Sequence, residues 1–69
     1  MSGDEYIGVT AILKHVRATS VLLEVQGHKA WIPRSLIYGP DDSTLDGVML
    51  DSEITLRMFE WKAKREGLV

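Results

Sequence analysis

The chain has 69 residues, a net charge of −2 and no cysteine, and 45% of its residues are hydrophobic. A domain of this length forms one core and buries only about 60% of the surface that its unfolded chain exposes. The lack of cysteine excludes disulfides, zinc sites built on thiolates and cysteine nucleophiles, and it fits a reducing compartment.

The start of the sequence does not have the pattern of a targeting signal. Residues 1–5, Met-Ser-Gly-Asp-Glu, are polar and acidic, whereas a secretory signal is basic and then apolar. No apolar run reaches the roughly 18 residues that a membrane span requires. We therefore expect one cytoplasmic domain over residues 1–69, with a flexible N-terminus at residues 1–5.

The charges are distributed unevenly along the chain. Residues 14–37 carry +3, from Lys14, Arg17, Lys29 and Arg34 against Glu24. Residues 38–56 carry −5, from Asp41, Asp42, Asp46, Asp51 and Glu53. This distribution is more informative about partners than the small net charge, because a partner contacts only one part of the surface and the charges there.

The first half of the chain predicts three consecutive antiparallel strands. Residues 6–17 are rich in β-branched residues, with Gly8 where a bulge or a sharp coil would suit a barrel strand. Residues 21–25 form the second strand, Gly27 and His28 turn the chain, and residues 29–32 form the third. Pro33 has no amide hydrogen and therefore ends that strand.

The second half predicts a turn, a loop, a strand and a helix. Residues 34–37 form one helical turn or a tight bend that places Leu36 and Ile37 under the sheet. Residues 38–51 contain Gly39-Pro40 and four acidic residues, which is typical of a long loop. Residues 52–58 alternate as a half-buried strand, and residues 59–66 form a short helix that Gly67 ends.

These elements predict a mainly β fold, either a small antiparallel barrel or a curled four- to five-stranded sheet, SH3-like or OB-like, with one short C-terminal helix. Either Ile12 or Leu13 points inward, depending on where the bulge falls. The expected core comprises the apolar residues Ile7, Val9, Ile12, Leu13, Val21, Leu23, Val25, Ile32, Leu36, Ile54, Leu56, Met58 and Phe59.

The sequence does not assemble a catalytic site. His15 and His28 are the only ordinary general bases, and we expect both at the surface. Ser20 and Ser35 lack the surroundings of a nucleophile elbow. The protein is therefore predicted to be non-enzymatic, with no cofactor and no metal.

Residues 42–53 have the spacing of a calcium-binding loop, with Asp42, Asp46, Gly47 and Glu53 at positions one, five, six and twelve. Thr44 and Leu50 do not supply the expected ligands, and Gly39-Pro40 prevents the helix that should precede the loop. We interpret this segment as part of a solvated acidic loop.

A nucleic-acid interface is one interpretation of the basic stretch. Small barrels bind single strands through a face that combines cations with aromatic rings. The basic residues Lys14, Arg17, Lys29 and Arg34 are interleaved with Tyr6, Trp31 and Tyr38. Only Trp31 is well placed for stacking, and the adjacent loop carries four carboxylates.

The two tryptophans, Trp31 and Trp61, have two interpretations. In so short a chain they are most simply the large anchors of the core. If Trp31 is instead exposed beside Pro33 and Tyr38, it is suited to an interface, where Trp, Tyr and Arg are favoured.

Two short motifs resemble a family of small phage and prophage proteins. One is Trp31-Ile32-Pro33-Arg34-Ser35 after a strand and turn, and the other is the helix from Glu60-Trp61 to Gly67-Leu68. The resemblance implies a phage-encoded accessory protein in an infected or lysogenic bacterial host, without an established reaction. In that family the connection between the motifs is short, whereas residues 38–51 here are long and acidic.

By analogy with small phage proteins, we expect a module that binds a host or phage protein, as an inhibitor of a host factor or defence system. Its predicted partner-binding residues are Trp31, Arg34, Tyr38, Asp41, Asp42 and Asp46. The alternative is a small-barrel nucleic-acid-binding protein that uses Lys14, Arg17, Lys29 and Arg34. Self-association through uncovered sheet edges is also open.

Overall fold

The computed structural model describes residues 5–69, and its main element is a four-stranded antiparallel sheet. The strands are β1 (Tyr6–Val16), β2 (Ser20–Val25), β3 (His28–Pro33) and β4 (Glu53–Phe59), in the spatial order β3-β2-β1-β4. Single helical turns lie at Arg34–Leu36, at α1 (Gly39–Asp42) and at Leu45–Gly47, and helix α2 (Glu60–Arg65) follows β4. The predicted mainly β fold with a short helix near the C-terminus is confirmed, and the sheet is open.

A β-bulge near the end of β1 changes which of its side chains face the core. Leu13 pairs with Leu23 but His15 pairs with Leu22, so Lys14 is the extra residue. The predicted bulge at Gly8 is wrong, because Gly8 pairs regularly with Arg57. Before the bulge the odd-numbered residues point inward, and after it they point outward.

The hairpin between β2 and β3 has a two-residue turn. Val25 pairs with His28, and the turn residues Gln26 and Gly27 have φ angles of 52° and 83°. Such left-handed turns match the twist of the flanking strands. The turn thus begins one residue earlier than predicted, and its register places Trp31 opposite Leu22.

One core lies on the inner face of the sheet and is covered by the segments that follow β3 and β4. Its buried residues are Val9, Ala11, Leu13, Val21, Leu23, Ala30, Ile32, Ile37, Leu45, Leu56, Met58, Ala63 and Leu68. Seven predicted core residues are confirmed, whereas Ile7, Ile12, Val25, Leu36, Ile54 and Phe59 are only partly buried. Leu13 rather than Ile12 is the inward residue, and Ile37 is buried more deeply than Leu36.

The chain that follows β3 reaches the far edge of the sheet. The predicted helical turn at Arg34–Leu36 carries it there, and Ile37 forms an isolated bridge with Met58. The Tyr38 N–H donates a hydrogen bond to the Arg57 carbonyl over 2.8 Å. The outer edge of β4 is therefore partly paired, which shortens the stretch of unpaired backbone.

Helix α2 ends with the left-handed glycine that the sequence predicts. Gly67 has a φ of 74°, and the Leu68 N–H donates to the Ala63 carbonyl over 2.9 Å. The side chains of Leu68 and Ala63 are both buried. His28 Nε2 lies 2.6 Å from the Glu66 carbonyl oxygen, so the start of β3 is linked to the end of the helix.

The N-terminal part of the chain is described from Glu5 onward. The predicted flexible terminus at residues 1–5 falls mostly on residues 1–4, which lie outside the described residues. The Glu5 carbonyl accepts a hydrogen bond from the Glu60 N–H over 2.8 Å. Within residues 5–69, no helix has the length and apolar run needed to cross a membrane.

The acidic segment 38–51 is packed onto the core, and this predicts a stability test. Leu45 is 2% exposed, whereas Met49, four residues later, is 81% exposed. We expect Leu45→Ala to lower the free energy of unfolding by about 2–5 kcal/mol, because it leaves a cavity. Met49→Ala should change it by no more than about 0.5 kcal/mol. Urea unfolding followed by tryptophan fluorescence measures both, and equal values would mean that the segment does not contribute to the core.

Candidate partner-binding surface

The outer face of the sheet carries an exposed tryptophan among polar and apolar neighbours. Trp31 is 40% exposed and lies in one cross-strand row with Leu22 and His15. The His15 and Trp31 rings meet edge to face, with centroids 5.9 Å apart, and Arg17 Cζ lies 4.5 Å from the indole centroid. Lys29 is on the same face, two residues before Trp31. We call these five residues the Trp31 patch.

Local sequence explains why these side chains converge. Ala30 and Ile32 occupy the inner face of β3, so Trp31 between them points outward. The bulge at Lys14 turns both His15 and Arg17 to the same outer face. The prediction that Trp31 and Trp61 anchor the core is wrong, since each is 40% exposed.

The two cations of the Trp31 patch differ from most others in the molecule. Within residues 5–69, neither Arg17 nor Lys29 has a carboxylate within ion-pair distance. The residues Lys14, Arg34, Arg57, Lys62 and Lys64 each form at least one ion pair. Lys29 lies opposite Glu24 in the β2–β3 ladder, so Arg17 is the cation of the patch that is most available to an anionic partner group.

Arg34, which is partly buried, binds two carboxylates of the acidic segment. Its Nε donates to Asp42 Oδ1 over 2.7 Å, and its two terminal nitrogens donate to the Asp46 carboxylate over 3.1 and 3.2 Å. A further bond, of 3.0 Å, joins Nη1 to the Arg17 carbonyl. Hydrogen bonds to Asp46 and Asp42 raise the pKa of Arg34, and the bonds from Arg34 lower the pKa of Asp46.

A second cation, Arg57, binds the start of the same segment. Its backbone N–H and Nε donate to Asp41 Oδ2 over 2.8 and 3.0 Å, and Nη2 donates to Oδ1 over 3.1 Å. These bonds lower the pKa of Asp41. The guanidinium also stacks on Tyr38, with Cζ 4.2 Å from the ring centroid. Tyr38 in turn meets the ring of Tyr6 edge to face at 5.2 Å.

Lys14, the bulge residue, binds the end of the segment. Its Nζ lies 2.6 Å from the Asp51 carboxylate and 3.9 Å from Glu24. The hydrogen bond to Asp51 raises the pKa of Lys14. Three cations thus bind four carboxylates along residues 41–51, and the segment contains two helical turns, while the side chains of Asp46 and Asp51 are 71% and 69% exposed.

The predicted partner-binding residues divide into three sets. Arg34, Asp42 and Asp46 bind one another, and Tyr38 and Asp41 are joined through Arg57. Trp31 alone is in the exposed patch on the sheet. Of the alternative set, Lys14 and Arg34 have internal ion pairs, whereas Arg17 and Lys29 flank Trp31. The binding role of each of these residues stays a prediction.

Sequence reasoning missed His15 and Leu22 as members of this surface, and it missed a groove beside them. The groove has a volume of about 320 Å³ and is lined by His15, Val16, Leu45, Asp46, Val48 and Leu50. A signal was present in the sequence: after Leu13 the alternation reverses, with polar residues at 15 and 17 and an apolar one at 16. That reversal indicates the bulge.

No protein family, curated protein or solved structure matches this chain. The resemblance to small phage proteins therefore stays a prediction, and function is inferred from the surface itself.

The ion pair between Arg57 and Asp41 predicts a pH dependence. The pKa of Asp41 in the folded protein lies below the ordinary value of 3.8, so the pair stabilises the fold above that pH. Its contribution is lost as the pH falls below 3.8 through the folded-state pKa. We expect Asp41→Asn to make the acid-induced loss of stability shallower, as measured by urea midpoints at a series of pH values.

Arg57→Gln should flatten the same pH dependence, because either change removes the pair. If both variants kept the slope of the original protein, the pair would not contribute to acid sensitivity.

Proposed function

We propose that this protein is a non-enzymatic binding module that recognises a protein partner through the Trp31 patch. The observation that carries the proposal is an exposed tryptophan stacked against an arginine that has no ion-pair partner within residues 5–69. Trp and Arg are the residues that most often dominate binding energy at protein interfaces. Leu22 beside them adds apolar surface that a partner side chain would cover.

The position of Trp31 on a paired strand supports this role. Trp31 lies on β3 in regular register with β2, and its ring is held between Arg17 and His15. An aromatic residue that is already oriented loses little side-chain entropy on binding. The acidic segment has a different role in this proposal: it is bound internally by Arg34, Arg57 and Lys14 and supports the scaffold.

The partner we propose is a host or phage protein, and the module acts by occupying one of its surfaces. This part of the proposal is supported by the two phage-like motifs, one of which contains Trp31 itself. We further propose that the sheet curls into a small SH3-like or OB-like barrel. The bridge between Ile37 and Met58, which joins the chain after β3 to the far edge, supports that curvature.

Capture from a bacterial lysate tests the binding function, with two equally exposed tryptophans as variant and control. We expect Trp31→Ala to lose proteins that the original protein and Trp61→Ala both retain, because no cation stacks on the Trp61 ring within residues 5–69. Removal of an interface tryptophan commonly weakens binding by about thirtyfold or more. Quantitative mass spectrometry of the captured proteins provides the measurement. Identical captured sets for both variants would contradict the proposal.

A single-stranded nucleic acid is the second candidate partner, because Arg17 and Lys29 flank a ring on which a base could stack. If it is the partner, two phosphate contacts predict a slope of log affinity against log salt near −1.4, with about −0.7 per contact. We expect no binding of single-stranded or duplex oligonucleotides at low or moderate salt. Binding with that slope, abolished by Arg17→Glu and Lys29→Glu together, would favour the nucleic acid.

A further inference from the structure

We infer that the partner contributes an acidic peptide segment whose apolar anchor enters the groove beside the bulge while its carboxylates meet Arg17 and Lys29. This inference rests on the proposed function and specifies the chemistry of the partner. It follows from the charges of the Trp31 patch and from the continuity of that patch with the groove.

The groove and the patch share one residue. His15 meets the Trp31 ring edge to face, and it also lines the groove together with Val16, Val48 and Leu50. Leu50 in the groove lining is 48% exposed, and His15 connects that lining to the indole. A bound peptide can therefore contact both without leaving the surface.

The charges differ between the two ends of this surface. At the Trp31 end, the cations Arg17 and Lys29 face one carboxylate, Glu24, which lies opposite Lys29 in the β2–β3 ladder, so this end carries a net positive charge. At the groove end, Arg34 faces two carboxylates, Asp42 and Asp46, so that cluster carries a net negative charge. A complementary ligand has its acidic groups near Trp31 and an uncharged apolar group in the groove.

This asymmetry favours a peptide over a nucleic acid. A nucleic-acid strand carries a negative charge at every phosphate, so a strand that extended from Arg17 into the groove would meet Asp46 at its lining. A peptide can confine its negative charge to one end. It can also place a branched or aromatic side chain against Val48 and Leu50 in the groove.

Selection from a displayed library of random dodecapeptides identifies the preferred ligand directly, because it does not require the natural partner. We expect selection on the original protein to enrich peptides that carry Asp or Glu next to an aliphatic or aromatic residue. Each enriched peptide is then synthesised with a fluorescent label, and its affinity is measured by polarisation at low and high salt.

Two matched pairs of variants locate the bound peptide. Arg17→Glu should weaken binding by about tenfold or more, because it reverses a charge in the patch, whereas Arg65→Glu on α2 should not. Leu50→Asp should also weaken binding, because Leu50 lines the groove, whereas Met49→Asp next to it should not. Circular dichroism verifies that each variant is folded.

Different results overturn different statements. Enrichment of basic or uncharged peptides that still require Trp31 would overturn the acidic partner but leave the binding module. Peptide binding that is unchanged in Trp31→Ala, together with unchanged lysate capture, would overturn both the acidic partner and the binding module. A single-stranded oligonucleotide that displaces the peptide, and whose own binding requires Arg17, would assign the patch to nucleic acid instead.

Discussion

The extra residue in β1 determines what the outer face of this protein presents. Up to Leu13 the strand directs its odd-numbered side chains into the core, and regular alternation would have placed His15 and Arg17 there as well. Burial of an unpaired arginine would cost several kcal/mol. The bulge at Lys14 reverses the phase, so Val16 turns toward the core and the two polar side chains reach Trp31. The same bulge therefore keeps His15 and Arg17 out of the core and places them beside Trp31.

A sheet of four short strands does not supply a large core, and the segment after β3 completes it. Ile37 and Leu45 are buried there, although the segment has few other apolar residues facing inward. Ion pairs bind the segment to three cations, Arg34, Arg57 and Lys14. An exposed ion pair contributes little, but Arg34 is largely buried and its several hydrogen bonds leave the segment few alternative positions. The acidic residues are thus explained by the fold.

Residue patterns predict the strands well because alternation and Pro33 act locally. Strand limits agree within one or two residues, and the end of the helical pattern correctly indicates the left-handed Gly67. The two helical turns of the acidic segment are not predicted from the sequence, because its position depends on ion pairs between residues distant in sequence, such as Arg57 and Asp41. The same limitation applies to the binding residues, because a sequence does not show which carboxylates already have a cation beside them.

The two tryptophans show why exposure by itself does not identify a binding surface. Trp31 and Trp61 are exposed to the same extent, yet their surroundings differ. Trp61 lies on helix α2 with Arg65 four residues later, but no cation stacks on the Trp61 ring within residues 5–69. Trp31 lies on strand β3, which is paired with β2. The Arg17 guanidinium stacks on its ring and has no carboxylate partner within residues 5–69. A partner that covers Trp31 therefore gains both a large apolar contact and an ion pair at one position, because the site is already ordered before binding.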